Sequence, residues 1–501
     1  MKRSIAIPTP VHAEAMRHLL RSDGQEDLCF ALWFPSVGAS RETALLWQMV
    51  LPLDGERSVH GNASFNPGYF ERVVGLARQN RCGIAFLHSH PGPGWQGMSQ
   101  DDINAENGHA AATQAATGLP LVGLTAGTDE AWSARFWIRV ARKKYAREWC
   151  ESVRVVGDKF VPTYYDQLLP RPHFSDSLER TVSAWGESAQ ANLARIRIGV
   201  IGAGSVGSII AETLARMGIA HVRLLDFDIL ESLNLDRQLH ANAKDAKDKK
   251  LKVEVLAKGL RNSATARPFK VDALALSIVE TEGFKEALDC DVLFSCVDRP
   301  WARLVLNYIA YAHLIPVIDG GIKLTPKGNG SGLKRGTWRA HAVAPTRRCL
   351  ECLEQFDSSD VALERAGMLD DPTYIDGLPK DHALRAHQNV FAFSLSVASM
   401  EILEFLRMVI PHPGHANIGA QTYHFVTGTL DVDTRGCNTH CPFCEMVAKG
   451  DRSGYESILG HHPAAHREAT HKNEETPSKF MRWLKRIWFN KVAPVLSAPK
   501  E

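Results

Sequence analysis

Residues 195–207 read RIRIGVIGAGSVG, an apolar strand that ends in Gly202-x-Gly204-x-x-Gly207 and runs into the helical pattern SVGSIIAETLARMG. Glycines at this spacing fit a tight strand-to-helix turn whose backbone amides stay uncovered, and such a helix N-terminus attracts phosphate. The next strand, HVRLLDFD, closes on Asp226 and Asp228, where an acid can hold a ribose. Two further apolar strands, DVLFSCVD (291–298) and IPVIDGG (315–321), flank the helix PWARLVLNYIAYAH. Alternating strands and helices of this kind predict an α/β fold with a mainly parallel, Rossmann-like sheet. On the glycine motif alone, NAD is the commonest ligand.

A chain of 501 residues is too long for one ordinary domain. The sequence predicts a first domain over 1–156, a proline-bearing linker over 157–178, the nucleotide domain over 179–450 and a tail over 451–501. With 58 basic and 56 acidic residues, the net charge of +2 gives no electrostatic reason to expect nucleic acid. The opening MKRSIAIPTPVHAE breaks any signal core with Pro8, Pro10, His12 and Glu14, and no run reaches the roughly 18 apolar residues of a membrane span. A cytoplasmic protein is expected. Ten cysteines are too few for a disulfide scaffold of this size and point to metal or catalysis. Near the C-terminus, Phe480, Trp483, Leu484, Ile487 and Trp488 fall on one helical face among Lys and Arg. Such a helix can touch a membrane, but packing on its own protein is the favoured expectation.

In the first domain, DLCFALWF and ALLWQMVLPL read as strands, NPGYFERVVGLARQN as a helix opened by Pro67, and CGIAFLHSH as a buried strand. That strand delivers His88 and His90 on one side, and Asp102 follows after a glycine- and proline-rich loop. Two histidines and a carboxylate leave zinc an open position for water, as hydrolysis requires. On spacing alone a polar surface loop fits equally well. The whole phrase, His-Ser-His-Pro, a loop, then Ser99-x-x-Asp102, resembles the JAMM signature of the JAB/MPN metalloproteases. The resemblance implies cleavage after the C-terminal glycine of ubiquitin-like proteins, with Ser99 serving the oxyanion and an upstream glutamate as base. Glu26 stands just ahead of the first buried strand and is the chosen base over its neighbour Asp27 and over Glu42.

Past the glycine turn, DFDILESLNLDRQL (226–239) resembles the Asp-x-x-x-x-x-Asn-Leu-x-Arg-Gln segment of the ThiF family, ubiquitin-activating enzymes and bacterial activators of sulfur carriers. The resemblance displaces NAD in favour of ATP. It implies Asp228 on the ribose, Asn234, Arg237 and Gln238 around the phosphates, and Asp298 on magnesium. Of Lys249, Lys250 and Lys252, the last precedes Val-Glu as the family lysine does. Arg180 resembles the arginine that reaches a partner subunit's ATP in several relatives, which implies a homodimer.

Cys349-x-x-Cys352 and Cys441-x-x-Cys444 can supply four thiolates to one closed, tetrahedral structural zinc, as in bacterial ThiF-like enzymes. Residues 353–436 contain no cysteine, so the thioester-forming cysteine of the larger activating enzymes has no counterpart there. Cys437, beside the second hook, is the one nearby spare.

Together these readings predict a two-headed enzyme with a catalytic and a structural zinc, ATP and magnesium. It would cleave peptide or isopeptide bonds after a ubiquitin-like protein and adenylate that protein's C-terminus, with a separate conjugating enzyme as partner, in a bacterial conjugation setting that includes antiviral defence. One rival is activation of a sulfur carrier, giving a thiocarboxylate. Another is a non-catalytic NAD-binding scaffold.

Overall fold

The computed structural model describes residues 1–60, 62–142, 144–328, 331–370 and 388–466. The amphipathic segment expected around Phe480–Trp488 lies outside them. Two sheets carry the fold. The first has nine strands: β1 (Lys2–Pro8), β2 (Leu28–Val37), β3 (Arg41–Val50), β6 (Gly83–Ser89), β7 (Leu121–Ala126), β8 (Trp132–Ala141), β9 (Lys144–Trp149), β10 (Ser152–Val156) and β11 (Phe160–Tyr164). Their order is β11-β10-β1-β3-β2-β6-β7-β8-β9, while β4 (Arg57–His60) and β5 (Asn62–Phe65) form a separate hairpin. Helices α1 (Thr9–Leu19), α2 (Pro67–Asn80) and α3 (Gln100–Thr117) complete this unit. Strand β6 is buried throughout, paired with β2 on one side and parallel to β7 on the other, so α3 is the crossover helix of a β-α-β unit. Pro67 opens α2 as its sequence suggested, with the Asn66 side chain accepting from Tyr69 N.

The second sheet has eight strands in the order β14-β13-β12-β15-β16-β17-β18-β19. Strands β12 (Arg197–Ile201), β13 (His221–Leu225), β14 (Lys270–Leu274), β15 (Val292–Ser295) and β16 (Val317–Pro326) run parallel. This is the doubly wound half that the alternating pattern predicted. Strands β17 (Leu333–Val343), β18 (Ala420–His424) and β19 (Thr429–Asp433) extend it antiparallel, a turn of direction beyond the mainly parallel pattern of the sequence. Helices α4 (Glu179–Trp185) and α5 (Glu187–Arg195) precede the sheet, and α6 (Ser205–Arg216), α7 (Ala243–Lys247), α8 (Lys252–Ser263), α9 (Thr281–Leu288) and α10 (Pro300–Ala312) lie between its parallel strands. Then come α11 (Ser358–Arg365), the long α12 (Phe391–Val409) and α13 (Pro442–Glu445).

The segment expected to be a linker differs in structure. Its first part is β11, paired antiparallel with β10 at the edge of the first sheet, because Phe160 and Tyr164 are buried there. The apolar core beneath it is shared: Ala6, Leu45, Val156 and Phe160 pack with Ile198, Val200 and Phe294 of the nucleotide sheet. Charge reinforces this seam. Asp291 accepts from the guanidinium groups of Arg41 and Arg154 and, at 2.9 Å, from Arg197 N. Asp289 accepts from Ser40 N and Arg41 N at 2.9 and 3.0 Å. Burial opposes ionisation of Asp291, but the three arginines hold it well below the usual carboxylate range. Lys449 closes the seam from the other side, its ammonium 3.4 Å from the centroid of Trp47.

Replacing Asp291 with Ala leaves two buried guanidinium groups uncompensated and is expected to cost about 3–5 kcal/mol, read as a lowered urea midpoint. A second buried carboxylate makes a pH prediction. Glu401 on α12 is fully buried against Gly320, with neither oxygen hydrogen-bonded. Burial, together with Asp319, pushes it well above its ordinary value despite Arg339 and Arg303. The folded state therefore holds this proton more tightly, and stability falls as pH rises above the unfolded carboxyl value. Glu401→Gln removes that dependence, so its melting temperature should gain on the wild type between pH 5 and pH 8.

Candidate functional site

His88 is the next-to-last residue of β6 and His90 follows the strand, beside Ser89, which faces the other way. The loop after them is pinned by Trp95, stacked on Tyr165 with ring centroids 4.9 Å apart. It ends at Ser99, which caps α3: Ser99 Oγ accepts from Asp102 N at 3.1 Å and Asp102 Oδ2 accepts from Ser99 N at 2.7 Å. The capping box turns the Asp102 carboxylate toward the histidines. His88 Nε2 lies 3.4 Å from Asp102 Oδ1 and His90 Nε2 3.3 Å from Asp102 Oδ2. Three ligand atoms thus fall within 4.8 Å of one another, a spacing that suits one tetrahedral divalent ion. Burial, then the charge of Arg135, pushes His88 below its ordinary value and keeps the ring neutral, the form that binds metal.

Glu26 reaches the same place. Its carboxyl is pushed up by burial, with His90 opposing and Asp102 adding to the rise. Asp27, the neighbour, points elsewhere: its carboxylate meets Arg57 Nε at 2.9 Å, Arg21 at 3.4 Å and His18 at 3.6 Å. Its backbone is tied to Ser89, with Asp27 N donating to Ser89 Oγ at 3.0 Å and Ser89 N donating to Asp27 O at 3.1 Å. Ser89 therefore clamps the Glu26 segment to the histidine strand, a role invisible in sequence because the two stretches lie about sixty residues apart. Glu42 is tied to Arg3. Beneath the site, Arg135 pairs with buried Glu106 and donates to Thr125 Oγ1, which stands 3.2 Å from His88 Nε2.

The glycine turn follows β12. Gly202 has φ +94°, and a Cβ there would strike the Cys296 carbonyl; a Cβ on Gly207 would strike the Gly202 carbonyl. Gly204 faces open space at the N-terminus of α6, whose cap has no side-chain partner, so its amides are available to an anion. Asp226 braces the turn by accepting from Ala203 N at 2.7 Å and Asp228 N at 2.8 Å. Burial, with Asp228 adjoining, raises its carboxyl above the ordinary value.

Half-exposed Asp228 meets Lys252 Nζ at 2.6 Å. Lys252 opens α8; its burial is outweighed by Asp226, Asp228 and Asp298, which raise its pKa. Of the three candidate lysines, Lys252 is the one these acids surround, whereas Lys250 pairs with Asp245. Asp298 is exposed beyond the end of β15.

Other expected phosphate contacts are engaged locally. Gln238 is buried and donates to Ala203 O at 2.8 Å, so it supports the turn from below. Arg237 pairs with its neighbour Asp236 at 2.7 Å, and Asn234 Oδ1 accepts from Glu231 N at 2.9 Å. Arg180 is exposed on α4.

The thiols cluster. Cys349, Cys352, Cys437 and Cys441 bring their sulfurs within 4.8 Å of one another. Cys444, the expected fourth ligand, stands exposed at the rim of the same cluster, where its thiol interacts with Cys437 and Cys441. Cys349 and Cys441 sulfurs lie 3.6 Å apart, close to the about 3.8 Å of two thiolates on one tetrahedral zinc. Backbone amides point at the sulfurs: Cys349 N to Cys437, Cys352 N to Cys349 and Asn438 N to Cys352, at 3.1, 3.3 and 3.4 Å. Donors so placed stabilise thiolates, so the donor set fits a structural zinc.

The model of the ThiF family matches residues 177–443. Among curated proteins, the chain is 30% identical over 135 residues to the sulfur carrier protein ThiS adenylyltransferase of Bacillus subtilis, covering 27% of this chain and 40% of that protein. It is 26% identical over 140 residues to a ubiquitin-activating enzyme E1-like protein of Saccharomyces cerevisiae, covering 28% and 22%. The chain thus spans between about a fifth and two fifths of the length of these relatives. Among solved structures, Escherichia coli MccB in complex with MccA overlaps 54% of this chain and 74% of that one, at 17% identity and a TM-score of 0.42. The family match begins at residue 177, beyond the first sheet, and spans more than half of the 501 residues. On that match the chain belongs to the ThiF family.

Proposed function

We propose that the nucleotide unit adenylates the C-terminal carboxylate of a small ubiquitin-like carrier of the sulfur-carrier type. The carrying observation is the convergence of Lys252, Asp228 and Asp298 beside an uncapped helix N-terminus and the Gly202 turn. The carboxylate attacks the α-phosphorus of ATP, an acyl–phosphate bond forms and pyrophosphate leaves. In this reading Asp228 holds the ribose, the α6 amides and Lys252 carry the phosphate charge, and Asp298 would hold magnesium, which neutralises charge on the departing pyrophosphate. Arg237, now paired with Asp236 on the surface, would reach the phosphates by exchanging partners, while Asn234 and Gln238 keep the loop in shape. Arg180 would serve a second copy's nucleotide. The ThiS adenylyltransferase among the relatives supports the sulfur-carrier reading over conjugation through a separate enzyme. Lys252→Ala is expected to lower carrier-dependent ATP–pyrophosphate exchange about 100-fold while the chain stays folded. Absence of exchange in the wild type with any carrier ending in Gly-Gly overturns adenylation. Mass spectrometry of the carrier then separates the fates: an added sulfur marks a thiocarboxylate, an isopeptide bond marks conjugation.

A second reading rests on the geometry of the first unit. We infer that Glu26, Ser99, His88, His90 and Asp102 make a JAMM-type hydrolytic site that cuts after a ubiquitin-like C-terminus. The three ligands would hold zinc, which supplies Lewis acidity to water and to the scissile carbonyl. Glu26 takes the proton of the attacking water and returns it to the leaving amine, a role its raised carboxyl suits. Ser99 Oγ accepts from Asp102 N, which leaves its O–H free to donate to an oxyanion. Glu26→Gln should abolish cleavage of a ubiquitin-like fusion with zinc content unchanged, whereas His88→Ala should lose both. A Glu26→Gln protein that cleaves at the wild-type rate removes Glu26 from this role.

A further inference from the structure

After the thiol cluster, the chain returns across the mouth of the nucleotide site. Trp301 Nε1 donates to Ile458 O at 2.7 Å, Gly460 N donates to Val279 O at 3.0 Å, and His462 N donates to Glu280 Oε1 at 2.8 Å. The buried His462 ring then sits against Trp301 and against Phe227, the residue between Asp226 and Asp228, with centroids 6.1 and 5.0 Å away. This segment therefore forms one wall beside the acid that meets Lys252.

On its outer side three potential ligands converge. His466 Nε2 lies 2.9 Å and His461 Nδ1 3.5 Å from the same Glu280 oxygen. The two imidazoles stack, centroids 4.1 Å apart and planes 28° from parallel. Ligands about 2.0–2.2 Å from a tetrahedral zinc stand about 3.3 Å from one another, so this spacing already suits a shared ion. The backbone bond from His462 N orients the carboxylate in the way outer-shell donors orient metal ligands. Two imidazoles and one carboxylate favour a borderline transition ion over calcium or magnesium.

We propose that Glu280, His461 and His466 form a metal site for zinc or a similar divalent transition ion, separate from the thiol cluster and from the His88–His90–Asp102 group. Its ion ties the returning chain to the start of α9 and so fixes His462 beside the nucleotide acids. Exposed coordination positions leave the ion exchangeable, so the wall tightens with free metal. The proposal stands on placement alone and holds whether or not the adenylation reading does.

Isothermal titration of zinc chloride into the full chain, with its tighter sites already filled with zinc, tests it. The wild type should take up one further equivalent, and His461→Ala/His466→Ala should not, while keeping the tighter equivalents and its melting temperature. Both side chains are more than half exposed, at 65% and 57%, so the double variant is expected to fold. Hydrogen exchange at Gly460 and His462 should slow on zinc addition in the wild type alone. Equal stoichiometry in the two proteins overturns the site; a lost equivalent with unchanged exchange overturns the tie to the nucleotide wall.

Discussion

Asp291 is the point on which the arrangement of the two sheets rests. It stands immediately before β15, takes the Arg197 amide at the start of β12, and binds arginines from β3 and β10 of the other sheet. A buried charge of this kind adds little net stability over an apolar contact, but it is intolerant of misplacement. Each arginine must meet the carboxylate, so the sheets lock in one relation while the shared apolar core supplies the free energy. The candidate sites at the ends of both sheets inherit their positions from that lock.

Both candidate sites then follow one rule of open α/β architecture: chemistry gathers at the carboxyl ends of parallel strands, where helix N-termini also point. In the first sheet this is the end of β6 and the start of α3, with Asp102 in the helix's first turn. In the second it is the end of β12 and the start of α6. The same peptide geometry leaves a carboxylate facing two histidines in one case and uncovered amides in the other. The difference is one of capping: Ser99 and Asp102 close the first helix end, and Gly204 leaves the second open.

Much of this was legible in the sequence because local pattern and tertiary role agreed. The glycine turn, the parallel strands and the histidine strand lie where the sequence placed them, since each depends on spacing within a short stretch. What escaped was set by partners far away in sequence. Phe160 and Tyr164 look like linker residues until β10 lies beside them, and the antiparallel β17–β19 extension has no signal distinguishing it from another crossover. That Gln238 donates to the Ala203 carbonyl under the glycine turn is likewise a contact across 35 residues that no local pattern announces. The two Cys-x-x-Cys hooks located the thiol cluster, but that Cys437 comes within it depends on how the chain turns before the second hook, which spacing does not encode.

The thiol cluster also shapes what this chain can become. Its two hooks stand at either end of a long excursion, Cys352 on one side and Cys437 on the other, so the cluster brings the ends of that excursion together. Loop entropy grows only with the logarithm of length, about 0.6 kcal/mol for each doubling, once the ends are fixed. The elements inside that excursion still have to fit: Ala398, Ile402 and Phe405 of α12 lie in the shared core and β18 pairs with β17, so exchanges there cost stability, while changes of length are borne best by the exposed turns between them.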